Sequence, residues 1–274
     1  MSSLMSTQEE ADTRLLFHAA HSINHGFNKV MIHATDTDVV VIAVAISSIF
    51  QNCEIWVAFG HGNKLRYIPC HLIASELGKD ASCGLLFFHA VSGCDTVSAF
   101  RGVGKKTAWA IWRSMPHLDQ VFARLSRTPN QISSEDLDQL QRFVVLLYKR
   151  TSHLSKVNDA RKLMFTQNRR MDNIPPTLHA LEQHVKRAAY QAGHIWGQAI
   201  IGNPELPPPN MWGWHRETDN SAWTPYWTTL QEAANACQEL LKCGCKKSCS
   251  NRCKCIKANL QCTLLCTRLG QCNR

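Results

Sequence analysis

The chain has 274 residues, 45% of them hydrophobic, with 30 basic against 21 acidic side chains and a net charge of +9. That length supports one core, or one core with a small added module. The most apolar run, 39–49, is shorter than the roughly 20 residues of a membrane helix. The N-terminus is polar and has no apolar run before a small-residue cleavage site, so neither a membrane span nor a secretory leader is expected.

In chain order, residues 9–25 predict a helix, with Leu15, Leu16 and Ala19 at helical spacing. Residues 29–34 predict a short buried strand, 38–50 an apolar helix and 54–59 a second strand. Strand, helix, strand at this spacing implies a βαβ unit and a parallel sheet, hence an α/β fold. A short edge strand at 66–69 and helices at 70–77 and 82–91 follow. Residues 136–149 predict an amphipathic helix capped by Ser133 or Ser134, and 177–201 a longer one. Prolines 204, 207, 208, 209 and 225 argue against regular structure in 204–227, where Trp212, Trp214, Trp223 and Trp227 also lie. A short helix at 228–241 leads into a cysteine-rich tail. The expected organisation is an α/β domain at 1–115, a helical region at 116–201, a Pro/Trp-rich linker with its short helix at 202–241, and a cysteine module at 242–274.

Three groups of carboxylates fall at expected element ends: Glu10 and Asp12, Asp36 and Asp38, and Asp95. In parallel sheets the carboxyl ends of strands are where ligands bind. Acids gathered there repel one another unless a cation bridges them, and hard ions such as Mg²⁺ or Mn²⁺ prefer oxygen donors. Taken singly, Asp36 or Glu10 reads first as a helix N-cap. Seven residues after Asp95, Gly102-Val-Gly-Lys-Lys-Thr107 opens a further helix. Glycines let backbone N–H groups approach a phosphate, and Arg101, Lys105 and Lys106 add positive charge. The spacing does not fit a Walker loop, since Ala99 stands where its first glycine would be.

The order Glu10-Ala-Asp12, Thr35-Asp-Thr-Asp38, Gly93-Cys-Asp95 and Gly102-Val-Gly-Lys-Lys-Thr107 resembles the PIN-like flap endonuclease and 5′-nuclease family over about residues 8–115. The resemblance implies that Glu10, Asp12, Asp36, Asp38 and Asp95 take metal-ligand positions in catalysis. It implies that Gly102, Gly104, Lys105 and Lys106 hold a phosphate backbone within a helix–two-turn–helix. The family's first catalytic Asp lies on a strand well upstream of this motif, whereas only Met1 to Gln8 precede Glu9 here. The expected domain is therefore an incomplete parallel sheet, weak or inactive as a nuclease.

Of 13 cysteines, eight lie in the tail: Cys243, Cys245, Cys249, Cys253, Cys255, Cys262, Cys266 and Cys272. Without a leader, such density argues for zinc rather than disulfides. Eight thiolates allow two separate four-thiolate sites, or three ions with bridging thiolates if a further ligand contributes. The tail from 241 on also holds eight basic residues and no acid, which leaves about +1 for the remainder. Lys246, Lys247 and Lys254 lie between the ligands, and such a stripe suits a polyanion. The run from Cys243 to Cys255, with Cys262 and Cys266, resembles the tesmin-type CXC domain, a zinc-binding module several of whose members bind DNA. It departs from that family near its end, where Arg268 stands in place of one cysteine and no second repeat follows.

Together these features lead us to expect a nuclear nucleic-acid-binding protein, with DNA as the expected partner. It would be derived from a metal-dependent, structure-selective nuclease and related to a mobile element. The alternatives are an active Mg²⁺- or Mn²⁺-dependent nuclease and a zinc-stabilised protein-interaction module. Oligomeric state is not legible.

Overall fold

The computed structural model describes residues 4–50, 52–167, 173–219, 221–227, 243–245, 249, 253–257, 262 and 266–267. The expected helix 228–241 and Cys272 lie outside them, as do Lys246 and Lys247. The chain divides into two compact units: Met1–Gln139 with Glu182–Tyr226, and Leu140–Leu181 with Trp227–Arg274.

The first unit is mixed α/β. It begins with α1 (Ala11–Asn24), β1 (Lys29–Ala34), α2 (Thr37–Ser47), β2 (Glu54–Phe59), β3 (Arg66–Pro69), α3 (Cys70–Leu77) and α4 (Lys79–Val91). β1 and β2 pair in parallel, from Lys29 opposite Glu54 to Ala34 opposite Phe59. β3 returns antiparallel on β2, giving the order β1-β2-β3. The α/β expectation thus holds at the level of a small mixed sheet. α2 is the centre of this unit: Val39 and Val41 to Ser47 are all buried, and it packs on α1, α3, α4 and β2.

β1 is not the buried strand expected. Its residues alternate, with Ile32 and Ala34 buried while Met31 is 58% exposed. Strand side chains point to opposite faces in turn, so covering one face hides only every second residue. Met31, Trp56 and Pro69 share the other face in register, as do His33, Ala58 and Tyr67.

The loop after α4 leads to α5 (Lys105–Arg113) and α6 (Leu118–Leu125). α4 packs on α6, with Phe87 and Phe88 meeting Phe122 and Trp112 at ring centroids of 5.2 and 4.9 Å. α7 (Ser134–Tyr148) opens with a reciprocal capping box. The Asp136 N–H donates to Ser133 Oγ at 3.0 Å. In return, the Ser133 N–H donates to Asp136 Oδ2 at 3.2 Å.

The expected single helix 177–201 is three pieces. α9 (Leu178–Ala189) passes into a π-helical turn, Tyr190–Ile195, and then a 3₁₀ turn, Trp196–Gln198. Part of the Pro/Trp-rich segment is also ordered. A 3₁₀ turn at Pro209–Trp212 precedes a two-residue ladder of β4 (Trp214–His215) with β5 (Thr224–Pro225). Proline is tolerated because it sits at the start of the 3₁₀ turn and in an edge strand.

In the second unit, α8 (Val157–Thr166) is fastened through side chains at its start. The Val157 N–H donates to Gln141 Oε1 at 3.3 Å, and Asn158 Oδ1 accepts from the Leu178 N–H at 3.0 Å. Arg142 Nη1 donates to the Ser152 and Leu154 carbonyls at 2.8 and 2.6 Å, closing the loop ahead of α8.

Candidate functional sites

The first site lies where β1 ends and two helices begin. Asp36 is the N-cap of α2, its Oδ1 accepting from the Asp38 N–H at 2.9 Å. Asp38 stands in the first turn of α2, and Asp12 in the first turn of α1. The N-cap reading of Asp36 is therefore correct, but it does not exhaust the residue. Asp12, Asp36 and Asp38 each bring a carboxylate oxygen within 4.8 Å of the others. Two oxygens bound to one ion at about 2.0–2.4 Å lie at most about 4–4.8 Å apart, so the donor set fits a hard cation.

The electrostatics express this crowding. Asp12 has its pKa pushed up to about 6, first by burial and then by the charges of Asp36, Asp38, Glu10 and Asp95. Glu10 is also raised, chiefly by burial, against the opposing effect of its hydrogen bonds to Gln191 and Trp196. Asp38 Oδ1 lies 2.8 Å from His89 Nε2 on α4.

Glu10 and Asp95 lie outside the three-carboxylate group, although both raise Asp12. Glu10 is held from the far end of the unit. Gln191 Nε2 donates to its Oε1 at 2.9 Å, and Trp196 Nε1 to its Oε2 at 3.2 Å. Gln191 Oε1 in turn accepts from Thr96 Oγ1 at 2.9 Å, beside exposed Asp95. The π-helical turn that carries Gln191 thus ties the Glu10 and Asp95 segments together. Such turns recur at functional sites. Sequence reading missed His89, Gln191 and Trp196. No local motif marks them, because each acts on a residue 51 or more positions away.

The loop to α5 is built on glycine. Gly93 has φ +115°, and a Cβ there would lie 2.6 Å from the Ala99 Cβ, so the turn closes only on glycine. Gly102 has φ +75°, and an added Cβ at Gly102 or Gly104 would meet nothing within 4 Å, so both face open space at the start of α5. Arg101 and Lys106 are exposed beside them. Lys105 is used differently from the phosphate-facing role expected. Its Nζ donates to the His89 carbonyl at 2.9 Å, to Ser92 Oγ at 3.0 Å and to the Gly93 carbonyl. A cation on the last carbonyls of a helix offsets their partial negative charge, so Lys105 fastens α5 to the end of α4. Desolvation lowers its pKa, opposed by Cys94 and Asp38.

The second site is the thiolate cluster. Cys243, Cys253, Cys255 and Cys266 are buried together, with Cys245, Cys249 and Cys262 packed against them. Sulfurs of Cys243, Cys249 and Cys262 form a triangle of 4.0, 3.8 and 3.6 Å, and Cys255 lies 3.7 Å from Cys266. Four thiolates at about 2.3 Å around a tetrahedral zinc have edges of about 3.8 Å, so the spacing fits zinc. Two four-thiolate groups are present, Cys243–Cys245–Cys249–Cys253 and Cys243–Cys253–Cys255–Cys262, and they share Cys243 and Cys253. The Cys253 thiol is drawn down to about 6, first by the Ile256 N–H in the helical turn Lys254–Lys257. Cys255 is pushed up to about 12, first by burial and then by Cys266. Lys254 is exposed on that turn.

Among the described residues no helix is long and apolar enough to cross a membrane. No protein-family model, no curated protein and no solved structure matches the chain.

Proposed function

We propose that the chain is a nucleic-acid-binding protein that carries a hard-cation site of the 5′-nuclease kind and a zinc-thiolate module of the CXC kind. DNA is the expected partner and the nucleus the expected location. The observation that carries this reading is the convergence of Asp12, Asp36 and Asp38 at the end of β1. The open glycine turn at Gly102 and Gly104, flanked by Arg101 and Lys106, supports it. A bound Mg²⁺ or Mn²⁺ would polarise a phosphodiester and lower the pKa of its water. Asp12, Asp36 and Asp38 would hold the ion, Gln191 and Trp196 would orient Glu10, and the Gly102 turn would steady one strand by its phosphates.

Three converging carboxylates suffice for one hard ion. Two ions about 4 Å apart clamp both the attacking and the leaving oxygen, so turnover by this chain is expected to be low. In the tail, the sharing of Cys243 and Cys253 favours bridged zinc ions over two separate sites. Lys246, Lys247 and Lys254 would supply a salt-sensitive grip on the polyanion.

The test is Mn²⁺ binding and flap-DNA binding by the zinc-loaded chain, compared with an Asp36→Asn, Asp38→Asn variant. The variant should lose Mn²⁺ while its DNA affinity stays or rises. Cleavage at ordinary enzymatic rates, abolished in the variant, would replace this reading with an active nuclease. Absence of DNA binding at low salt would replace it with a zinc-stabilised interaction module.

A further inference from the structure

The C-terminal half of α1 and its cap carry three imidazoles, His18, His21 and His25, at spacings of three and four. Residues so spaced share one face of a helix. His18 and His25 are exposed and His21 half-buried. The rings of His21 and His25 lie 4.0 Å apart at their centroids, inclined by only 28°. Desolvation first, and then the neighbouring His25 and His18, lower the pKa of His21.

Hydrogen bonding fixes which nitrogen of His25 is available. Its Nδ1 lies 2.8 Å from the His21 carbonyl oxygen. A carbonyl can only accept, so Nδ1 carries the proton and Nε2 of the neutral ring keeps its lone pair. Metal-binding histidines are oriented in this way, one ring nitrogen donating to a backbone carbonyl while the other ligates. The setting also favours a cation, because the C-terminus of a helix carries partial negative charge.

We propose that the last turn of α1 and its cap form a site for a late first-row divalent cation, held by His21 and His25. Imidazole suits Zn²⁺, Ni²⁺ and Cu²⁺. Two nitrogens at about 2.1 Å from one ion and at right angles are about 3 Å apart. The His21 and His25 rings stand on adjacent turns with centroids 4.0 Å apart, close to that spacing. Asp12 stands in the first turn of α1 and His21 in the last, with His25 as the C-cap. A helix rises about 1.5 Å per residue, which sets His21 about 14 Å and His25 about 20 Å from Asp12 along the axis. The imidazoles are thus separate from the carboxylate cluster, and their site depends on neither metal reading above.

The test uses the full chain with its thiolates saturated by zinc and millimolar Mg²⁺ present, so that neither other site competes. Ni²⁺ is titrated at neutral pH into protein with ¹⁵N-labelled histidine. One further Ni²⁺ per chain is expected, with the His21 and His25 ring resonances broadened first. His21→Gln and His25→Gln should each weaken binding at least about tenfold, since loss of even a supporting partner costs about 10–100-fold. Glutamine forms helix at least as well as histidine, so α1 persists in both variants, and circular dichroism verifies this. His33→Gln, at an exposed site on β1, should bind as the parent chain does. The proposal is overturned if both α1 variants keep the parent affinity, if broadening is confined to other histidines, or if no further Ni²⁺ binds.

Discussion

Replacing Asp36 by Asn removes one charge from the carboxylate group with little else disturbed. Asn is as good an N-cap as Asp, so the bond that Asp36 accepts from the Asp38 N–H is kept. Asp36 is the largest charge acting on Asp12, whose pKa stands at about 6. Their carboxylate oxygens lie within 4.8 Å. Two unit charges at that limit interact by about 0.9 kcal/mol in water and about 3.5 kcal/mol at an effective dielectric constant of about 20. Asp36 is exposed and Asp12 only half-buried, so solvent screening places the relief near the lower figure, about 1 kcal/mol. The sign follows from the Asp12 proton. Its folded pKa lies above the ordinary 3.8, so its contribution to stability is present below 3.8 and lost as pH rises through about 6. Well below that pKa Asp12 is neutral, and of the two neighbouring carboxylates only Asp38 is left for the Asp36 charge to repel. Metal-free Asp36→Asn should therefore melt about 2–4 °C higher than the parent at pH about 7.5, with a smaller gain at pH about 5. Mn²⁺ reverses the order: at about a hundred times its dissociation constant it stabilises the parent by about 2.7 kcal/mol, and the variant by less. Calorimetry at the two pH values, with and without Mn²⁺, measures all four terms. A variant that melts lower than the metal-free parent at the higher pH, or that gains equally at the lower, would refute the reasoning.

Native mass spectrometry of the full chain should find two or three zinc ions. Cys243→Ser should release more of them than Cys245→Ser, because Cys243 belongs to both thiolate groups and Cys245 to one. Neutralising Lys246, Lys247 and Lys254 together should flatten the slope of log K against log salt for duplex DNA by up to about 2.7, at about 0.9 per phosphate contact. Gln191→Leu severs the bonds to Glu10 and Thr96. It should cost about 1–3 kcal/mol of stability and weaken Mn²⁺ binding, read by thermal melts and by Mn²⁺ electron paramagnetic resonance.

The three strands at 29–34, 54–59 and 66–69 are legible in the sequence, because short β-branched and aromatic runs stand between turn residues. The parallel pairing of the first two follows from the helix between them. The acids are legible as helix starts, and Asp36 does cap α2. Which carboxylates converge is not, since that depends on how α1 meets α2. The stretch 177–201 reads as one helix because apolar periodicity does not separate an α-helix from one that widens to a π turn. The tertiary reason lies at Gly193 and Gly197. A Cβ on the first would come within 2.5 Å of Pro129 Cδ, and on the second within 2.4 Å of the Ser126 carbonyl oxygen. Lys105 looks like a phosphate ligand from its neighbours, yet the C-terminal end of α4 claims it. Side-chain roles that depend on a distant helix end leave no local trace in sequence.

The carboxylate and thiolate sites differ in kind, and that difference keeps them independent. Carboxylate oxygens at Asp12, Asp36 and Asp38 suit hard ions that retain part of their water. Thiolates suit zinc, whose tetrahedral edge matches the observed sulfur spacing. The chemistry of folding differs as well. A thiolate site contributes its binding energy to folding, because the unfolded chain offers no preformed cage. The carboxylate site does the opposite when empty: burial first, and then the neighbouring like charges, push the Asp12 pKa up to about 6 and oppose the folded state. Its framework must therefore be held by something other than metal. The His89 contact to Asp38, the Lys105 clasp on α4 and the paired donors to Glu10 serve that end. A zinc-selective chelator should consequently disrupt the tail while leaving Mn²⁺ binding at the carboxylates in place. Removal of Mg²⁺ or Mn²⁺ should leave the tail's zinc unchanged.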